Sequence, residues 1–303
     1  MTDLAFYPDY PYSPKRFDRG NGINLSYLDA GPADAEPVLM VHGNPSWSYY
    51  WRHLVNGLQD NYRCIVPDHV GMGLSDKPAD RDYAYTLQSR VDDLDKLIDS
   101  LDLKRKITLA VHDWGGMVGF AWALKHPERI ARLVILNTAS FPLPKTKKLP
   151  WQIAIGRVPV LGAVLIRGFN FFARGAADLG VLRPIPGPSR KALLAPYDSW
   201  NHRRAVHRFV QDIPLRDTDA AWALVKQAEH HLPSYRNLPV FIGWGLQDFV
   251  FDQDFLARFV KDLPEATQKI YGDAGHYVLE DAHERIVPSV RAFLDRTATR
   301  QAA

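Results

Sequence analysis

With one cysteine in 303 residues the chain cannot form an internal disulfide, and Cys64, inside the apolar run Cys64-Ile65-Val66-Pro67, reads as a small buried hydrophobe. Long apolar runs are missing too. The longest candidate, Ile153 to Ile166, is broken by Arg157 and Pro159 and falls short of the roughly 18 residues that cross a bilayer. No transmembrane segment is therefore expected, and any membrane contact would be peripheral. The opening MTDLAFYPDYPYSP has neither the basic segment nor the apolar core of a signal peptide, from which a cytoplasmic location is expected. Runs of one charge are absent as well: 37 basic and 34 acidic residues are interspersed, leaving a net +3. Such a chain has no stripe suited to a phosphate backbone, so nucleic acid is not an expected partner. His230-His231 lack companion ligands at metal spacings. In Asp68-His69-Val70-Gly71-Met72-Gly73-Leu74-Ser75 the third glycine of a dinucleotide fingerprint would fall at Asp76. Neither a metal nor a cofactor is implied.

What is present is an ordinary globular composition, 46% hydrophobic and 23% charged, in a chain long enough for a full core with an inserted lid. Apolar strand-like runs alternate with helical patterns. Ile23 to Leu28, Val38 to Val41, Cys64 to Pro67, Ile107 to Val111 and Arg132 to Leu136 read as strands. Between them an aromatic helix is predicted from about Ser46 to Leu58, a helix capped by Thr86 running to about Leu101, and another to about His126. The alternation resumes with Val240 to Trp244, a helix from Gln253 to Leu263, a strand near Gln268 to Tyr271 and a last helix from His283 to Arg296. From Phe141 to about Pro233 it stops, and Pro, Gly, Trp and Phe become dense. The pattern predicts a doubly wound, mostly parallel α/β sheet (residues 1–140 and 234–303) with a helical cap (141–233) inserted after the sixth strand.

The chemistry centres on Val111-His112-Asp113-Trp114-Gly115-Gly116, where a strand turns directly into a helix. Such a bend holds one side chain exposed over the positive end of the helix dipole, and here that side chain is Asp113. The local alternative is a helix N-cap. A carboxylate with its usual pKa of about 3.9 is ionised at neutral pH and needs no base to act as a nucleophile. On an acyl carbon it would form a reactive anhydride, whereas on an sp3 carbon with a good leaving group it forms a stable ester. Asp248 lies just beyond one later strand and His276 just beyond the next. Nucleophile, acid and histidine then follow in the order of the α/β-hydrolases, with Asp248 orienting His276.

The strings VHDWGG and HGNPSWSYYWR resemble the aspartate-nucleophile branch of the α/β-hydrolase fold, which contains haloalkane dehalogenases and epoxide hydrolases. The resemblance implies that Asn44 and Trp114 donate N–H groups to a departing anion. Epoxide hydrolases use two cap tyrosines, but 141–233 holds only Tyr197; dehalogenases commonly carry Phe-Pro near the end of the cap, and the matching pair here is Phe209-Val210. LPWQIAIGR (149–157), APYDSW (195–200), RFVQDIPL (208–215) and GHYVLED (275–281) are similar to the β-lactone decarboxylases of bacterial long-chain olefin biosynthesis. That narrower resemblance implies a cofactor-free lyase converting a cis-3,4-dialkyl-oxetan-2-one into a cis-alkene and carbon dioxide. It also implies association with other enzymes of the olefin pathway. Two alkyl chains require an apolar tunnel, for which Trp151, Ile153, Ile155, Phe169, Phe171, Phe172 and Trp200 are candidates, as they are for plain packing. A haloalkane-hydrolysing dehalogenase remains the alternative, and a silent hydrolase-fold receptor is a third reading that the intact triad disfavours.

Overall fold

The computed structural model describes residues 7–298; residues 1–6, part of the segment read above for a leader, lie outside the described range. Eight strands form one sheet: β1 (Lys15–Asp18), β2 (Asn24–Ala30), β3 (Glu36–Val41), β4 (Tyr62–Pro67), β5 (Ile107–Asp113), β6 (Ile130–Thr138), β7 (Val240–Gly245) and β8 (Thr267–Tyr271). Their order is β1-β2-β4-β3-β5-β6-β7-β8. The pairs β1/β2 and β2/β4 are antiparallel and the other pairs parallel. The mostly parallel, doubly wound sheet expected from the alternation is therefore present. The sequence reading delimited every strand but β1, whose Lys-Arg-Phe-Asp is largely exposed and lacks an apolar run. Counting β1, the excursion follows the sixth strand.

Around the sheet lie α1 (Arg52–Leu58), α2 (Leu87–Ser100), α3 (Trp114–Lys125), α4 (Trp151–Ala154), α5 (Leu161–Ala163), α6 (Phe171–Leu179), α7 (Gly187–Leu194), α8 (Arg204–Gln211), α9 (Trp222–His231), α10 (Gln253–Asp262) and α11 (Val278–Ala298). Every residue of β5 is buried, as a central parallel strand requires. Thr86 caps α2 as expected, its hydroxyl oxygen accepting from the Ser89 N–H at 3.3 Å. The aromatic stretch after β3 is a tight 3-10 turn, Ser48–Trp51, before it becomes α1. The last helix starts earlier than its periodicity indicates, because Ala282 interrupts the helical backbone and separates a first turn from the rest.

The segment between β6 and β7 carries α4 to α9, so it is helical but in short pieces. Its seat on the sheet is specific. Buried Asp281 accepts from the N–H groups of Leu182, Arg183 and Gly275, and the Tyr277 N–H donates to Gly180 O at 2.7 Å. These bonds tie residues 180–183 to the loop that carries His276. Arg52 and Glu280 form a bidentate ion pair at 2.6 and 2.8 Å that secures the same loop from α1.

Candidate active site

The four loops at the carboxyl ends of β3, β5, β7 and β8 bring Asn44, Asp113, Asp248 and His276 together. Asp113 is the last residue of β5 and adopts φ 53°, ψ −131°, a conformation costly for a side-chain-bearing residue. Its carboxylate makes no N-capping bond to α3, which removes the helix-cap reading. The turn is possible because two glycines admit neighbouring groups too close for a Cβ. A methyl on Gly115 would lie 1.9 Å from Val41 O, and one on Gly43 would lie 2.0 Å from Asp113 Oδ1.

The expectation of an exposed nucleophile needs correction: Asp113 is 6% exposed. The bend does present it at the end of the sheet, but the cap lies over it. Burial raises its pKa above the usual carboxylate range, opposed by His276 and by the backbone N–H groups of Trp114 and Asn44. The Asn44 N–H reaches Asp113 Oδ1 at 2.5 Å. In a serine hydrolase two such N–H groups would face a substrate oxyanion. Here the Asn44 N–H holds Oδ1 of Asp113 itself, and Oδ2 faces His276 Nε2 at 3.5 Å.

His276 Nδ1 bonds Asp248 Oδ2 at 2.9 Å. Burial opposes protonation of the imidazole, but Asp248 and then Asp113 outweigh it and hold the pKa above the ordinary histidine value. Asp248 is itself fixed: Oδ1 accepts from the N–H groups of Val250 and Phe251 at 2.7 and 3.0 Å, and Oδ2 accepts from Asn137 Nδ2 at 3.1 Å. Asn137 was not anticipated. Buried at the end of β6, it also clasps the Gly245 backbone through both amide ends and so sets β7's exit loop against Asp248. His112, read only as part of the bend, supports the site from below, its Nε2 meeting His276 O at 2.8 Å. Burial holds this ring neutral. Thr138 donates its hydroxyl proton to the Asp113 carbonyl.

Asn44 and Trp114 both border the site, but not in the same manner. The Asn44 side-chain Nδ2 donates to Val206 O of the cap at 3.2 Å, so one amide hydrogen is already engaged. Trp114 is gripped edge-to-face by Phe209 at 5.3 Å, and the Arg90 guanidinium lies 3.6 Å from the Phe209 centroid. Arg90 is in turn held by Asp212 at 2.7 Å. The Tyr197 hydroxyl is buried and donates toward Ser46 O at 3.4 Å.

Two apolar cavities meet at Asp113. A narrow one of about 60 Å³ runs inward between Trp114, Met117, Phe141, Leu143 and Val210. A wider one of about 530 Å³ runs outward past Phe169, Phe171, Leu179 and Phe249, with His276 at its base. Asn44, Asp113, Ile153, Phe172 and Val250 border both. Of the tunnel candidates, Ile153, Phe169, Phe171 and Phe172 line these cavities. Trp151, Ile155 and Trp200 do not, Trp151 and Trp200 being exposed.

The profile of the alpha/beta hydrolase fold matches residues 36–283. The chain belongs to the α/β-hydrolase fold family. Within it, the chain is 58% identical over 295 residues to a cis-3-alkyl-4-alkyloxetan-2-one decarboxylase of Xanthomonas campestris, covering 96% of this chain and 98% of the relative. It is 50% identical over 286 residues to the protein of that name from Shewanella oneidensis, covering 94% and 89%. A crystal structure of an ancestral haloalkane dehalogenase superposes with a TM-score of 0.86 at 25% identity, covering 94% of this chain and 99% of the other. The resemblance drawn from the cap and flanking strings is thus matched along nearly the whole α/β-hydrolase chain, and the dehalogenase likeness is the more distant one.

Proposed function

We propose that this chain is a carboxy-lyase that converts cis-3,4-dialkyl β-lactones into cis-alkenes and carbon dioxide, with Asp113 as nucleophile, His276 and Asp248 as its partners, and Asn44 and Trp114 as anion donors. The observation that carries the reading is one carboxylate at the junction of two apolar cavities, the arrangement that a reacting ring bearing two alkyl tails requires. The names of the decarboxylase relatives support it independently. In this reading residues 1–140 and 234–303 form the catalytic core, and 141–233 act as the cap that shapes both arms.

Asp113 Oδ2 attacks the alkoxy carbon from the face opposite the ring oxygen. The carbon–oxygen bond breaks, its electron pair passes to the lactone carboxylate, and the carbon inverts. The new ester and the freed carboxylate are then antiperiplanar. Loss of carbon dioxide sends the carbon–carbon pair into the alkene bond while the ester oxygen takes its own pair back as the Asp113 carboxylate. Inversion followed by anti elimination converts a cis-lactone into a cis-alkene. The N–H groups of Asn44 and Trp114 on Asp113 favour that departure because they stabilise the carboxylate as it re-forms. No water is consumed. A dehalogenase must instead drive water onto the aspartyl carbonyl.

Many turnovers of a cis-β-lactone in ¹⁸O-water, followed by mass analysis of the Asp113 peptide, test the step. The peptide is expected to remain unlabelled, with alkene detected by gas chromatography. Label gained in proportion to turnover would sink the direct elimination and restore a hydrolytic route.

The pH profile gives a second test. His276 as imidazolium is the partner of the freed carboxylate, so kcat/KM for the lactone is expected to fall as pH rises through the raised His276 pKa. On the acid side it falls where Asp113 protonates, above the usual carboxylate range. The sign for stability is the same on the alkaline limb: what the imidazolium contributes is fully present below the unfolded histidine pKa and is lost as pH rises through the folded one. A rate that instead climbs through the alkaline transition identifies His276 as a base and contradicts this role.

The reading carries with it a cytoplasmic setting and association with other enzymes of long-chain olefin biosynthesis. A dialkyl lactone is poorly soluble in water and is best received without crossing it.

A further inference from the structure

Large exposed hydrophobics are not scattered over this molecule. Among the described residues, Trp151, Val158, Val160, Leu161, Val164, Phe169, Phe171, Leu179, Leu182 and Trp200 all belong to the cap, and Phe249 borders the outer cavity beside it; Ile270 alone lies elsewhere. Single exposed apolar residues are ordinary, whereas a cluster marks an interaction surface. Trp200 lies against Gly168, beside Phe169; Phe169, Phe171, Leu179 and Phe249 rim the outer cavity; and Trp151, Val158, Val160, Leu161 and Val164 belong to the stretch of short helical pieces that leads along the chain to Gly168. Its most exposed member, Val160 at 78%, is a β-branched residue held at φ 63°, a strained backbone that presents an apolar tip to solvent. Positive charge lies in the same segment. Within residues 151–183 the positive charge on this face comes from Arg167 and Arg174, since Arg157 is turned onto the carbonyls of Val210, Gln211 and Ile213, Arg183 lies 3.5 Å from Asp273, and the acid Asp178 is paired with Arg190 at 2.6 Å. Arg167 lies 4.5 Å from the Trp200 ring centroid.

We propose that this face of the cap docks on an anionic lipid bilayer, with Trp151 and Val160 entering the interface, so that the outer cavity opens into lipid. Apolar and aromatic side chains interleaved with arginine are the composition that binds such interfaces. No helix among the described residues is long and apolar enough to cross a membrane, so the contact is peripheral. The proposal rests on the dialkyl-lactone reading: such a substrate and its alkene partition into acyl chains, and a mouth facing lipid collects one and discharges the other without water.

The test uses the full chain and sucrose-loaded vesicles of phosphatidylcholine, with and without phosphatidylglycerol. The wild type is expected to sediment with the anionic vesicles and to be weakened by salt. The double variant Trp151→Glu, Val160→Glu changes two residues that line neither cavity. It is expected to lose about tenfold or more of that partition while turning over a short-tailed lactone in detergent micelles at the wild-type rate. Wild type that ignores both vesicle types, or a variant that binds as well as wild type, overturns the proposal. Sedimentation velocity without lipid completes it: self-association of the wild type that the variant abolishes assigns the face to a second copy of the chain instead. Failure to make alkene in micelles would count against the decarboxylase reading and leave the vesicle result legible.

Discussion

Replacing Asp113 by alanine is expected to abolish alkene formation, with kcat/KM down by about 10⁴-fold or more as for other lost nucleophiles, while the fold persists. Its carboxylate is buried beneath the cap, and burial disfavours the charged form despite His276 and the two N–H groups that face it. Removing the side chain discards that desolvation cost without touching the Val41–Gly115 approach or the core around β5. Thermal unfolding of the variant is therefore expected at or above the wild-type temperature. The φ of 53° remains a cost for alanine, so Asp113→Asn, whose side chain tolerates that region better, is the companion variant. Both variants are expected to be inactive and folded. Residual turnover of more than a few per cent in the folded variants would show that another group opens the ring.

The second large effect is expected at Asn44 and Trp114, the proposed anion donors. As the lactone carbon–oxygen bond breaks, charge grows on the leaving carboxylate, and removing one preorganised donor at such a position typically costs about 100- to 1000-fold in rate. Trp114→Phe is the cleaner change, because a phenyl ring preserves contact with Phe209 and Arg90 and deletes only the indole N–H. Asn44→Ala keeps the backbone N–H on Asp113 but also cuts the amide's tether to Val206 in the cap. We expect kcat to fall in both variants with KM for the lactone little changed. A raised KM with unchanged kcat would assign these side chains to holding the alkyl tails.

The sequence does not mark Asn137, because its partners Gly245 and Asp248 are 108 and 111 residues away and nothing local distinguishes it from a strand-end polar residue. Trp151 is a candidate for the tunnel or for plain packing on sequence alone, yet it opens a four-residue helix in which Ile153 is buried and Trp151 exposed. A helix of one turn is too short for periodicity to assign a face. β1 has exposed polar residues at positions where the pattern needs apolar ones. Among the legible strands, β3, β5 and β6 are buried on both faces, and continuous apolar runs report that directly.

The sequence by itself determined the strand–helix alternation, the bend that carries Asp113, the order of Asp113, Asp248 and His276, and the cap strings that resemble the β-lactone decarboxylases. Each of these is written in contiguous residues or in chain order. Only the tertiary structure decided that Asp113 is covered, that its own oxygen occupies the Asn44 N–H, that Asp248 and Asp113 hold His276 toward its protonated form, and that two apolar arms meet at Asp113. Burial and cavity shape depend on which distant segments come to lie within a few ångströms, and the energy of a charge depends on those neighbours far more than on the residues beside it in the chain.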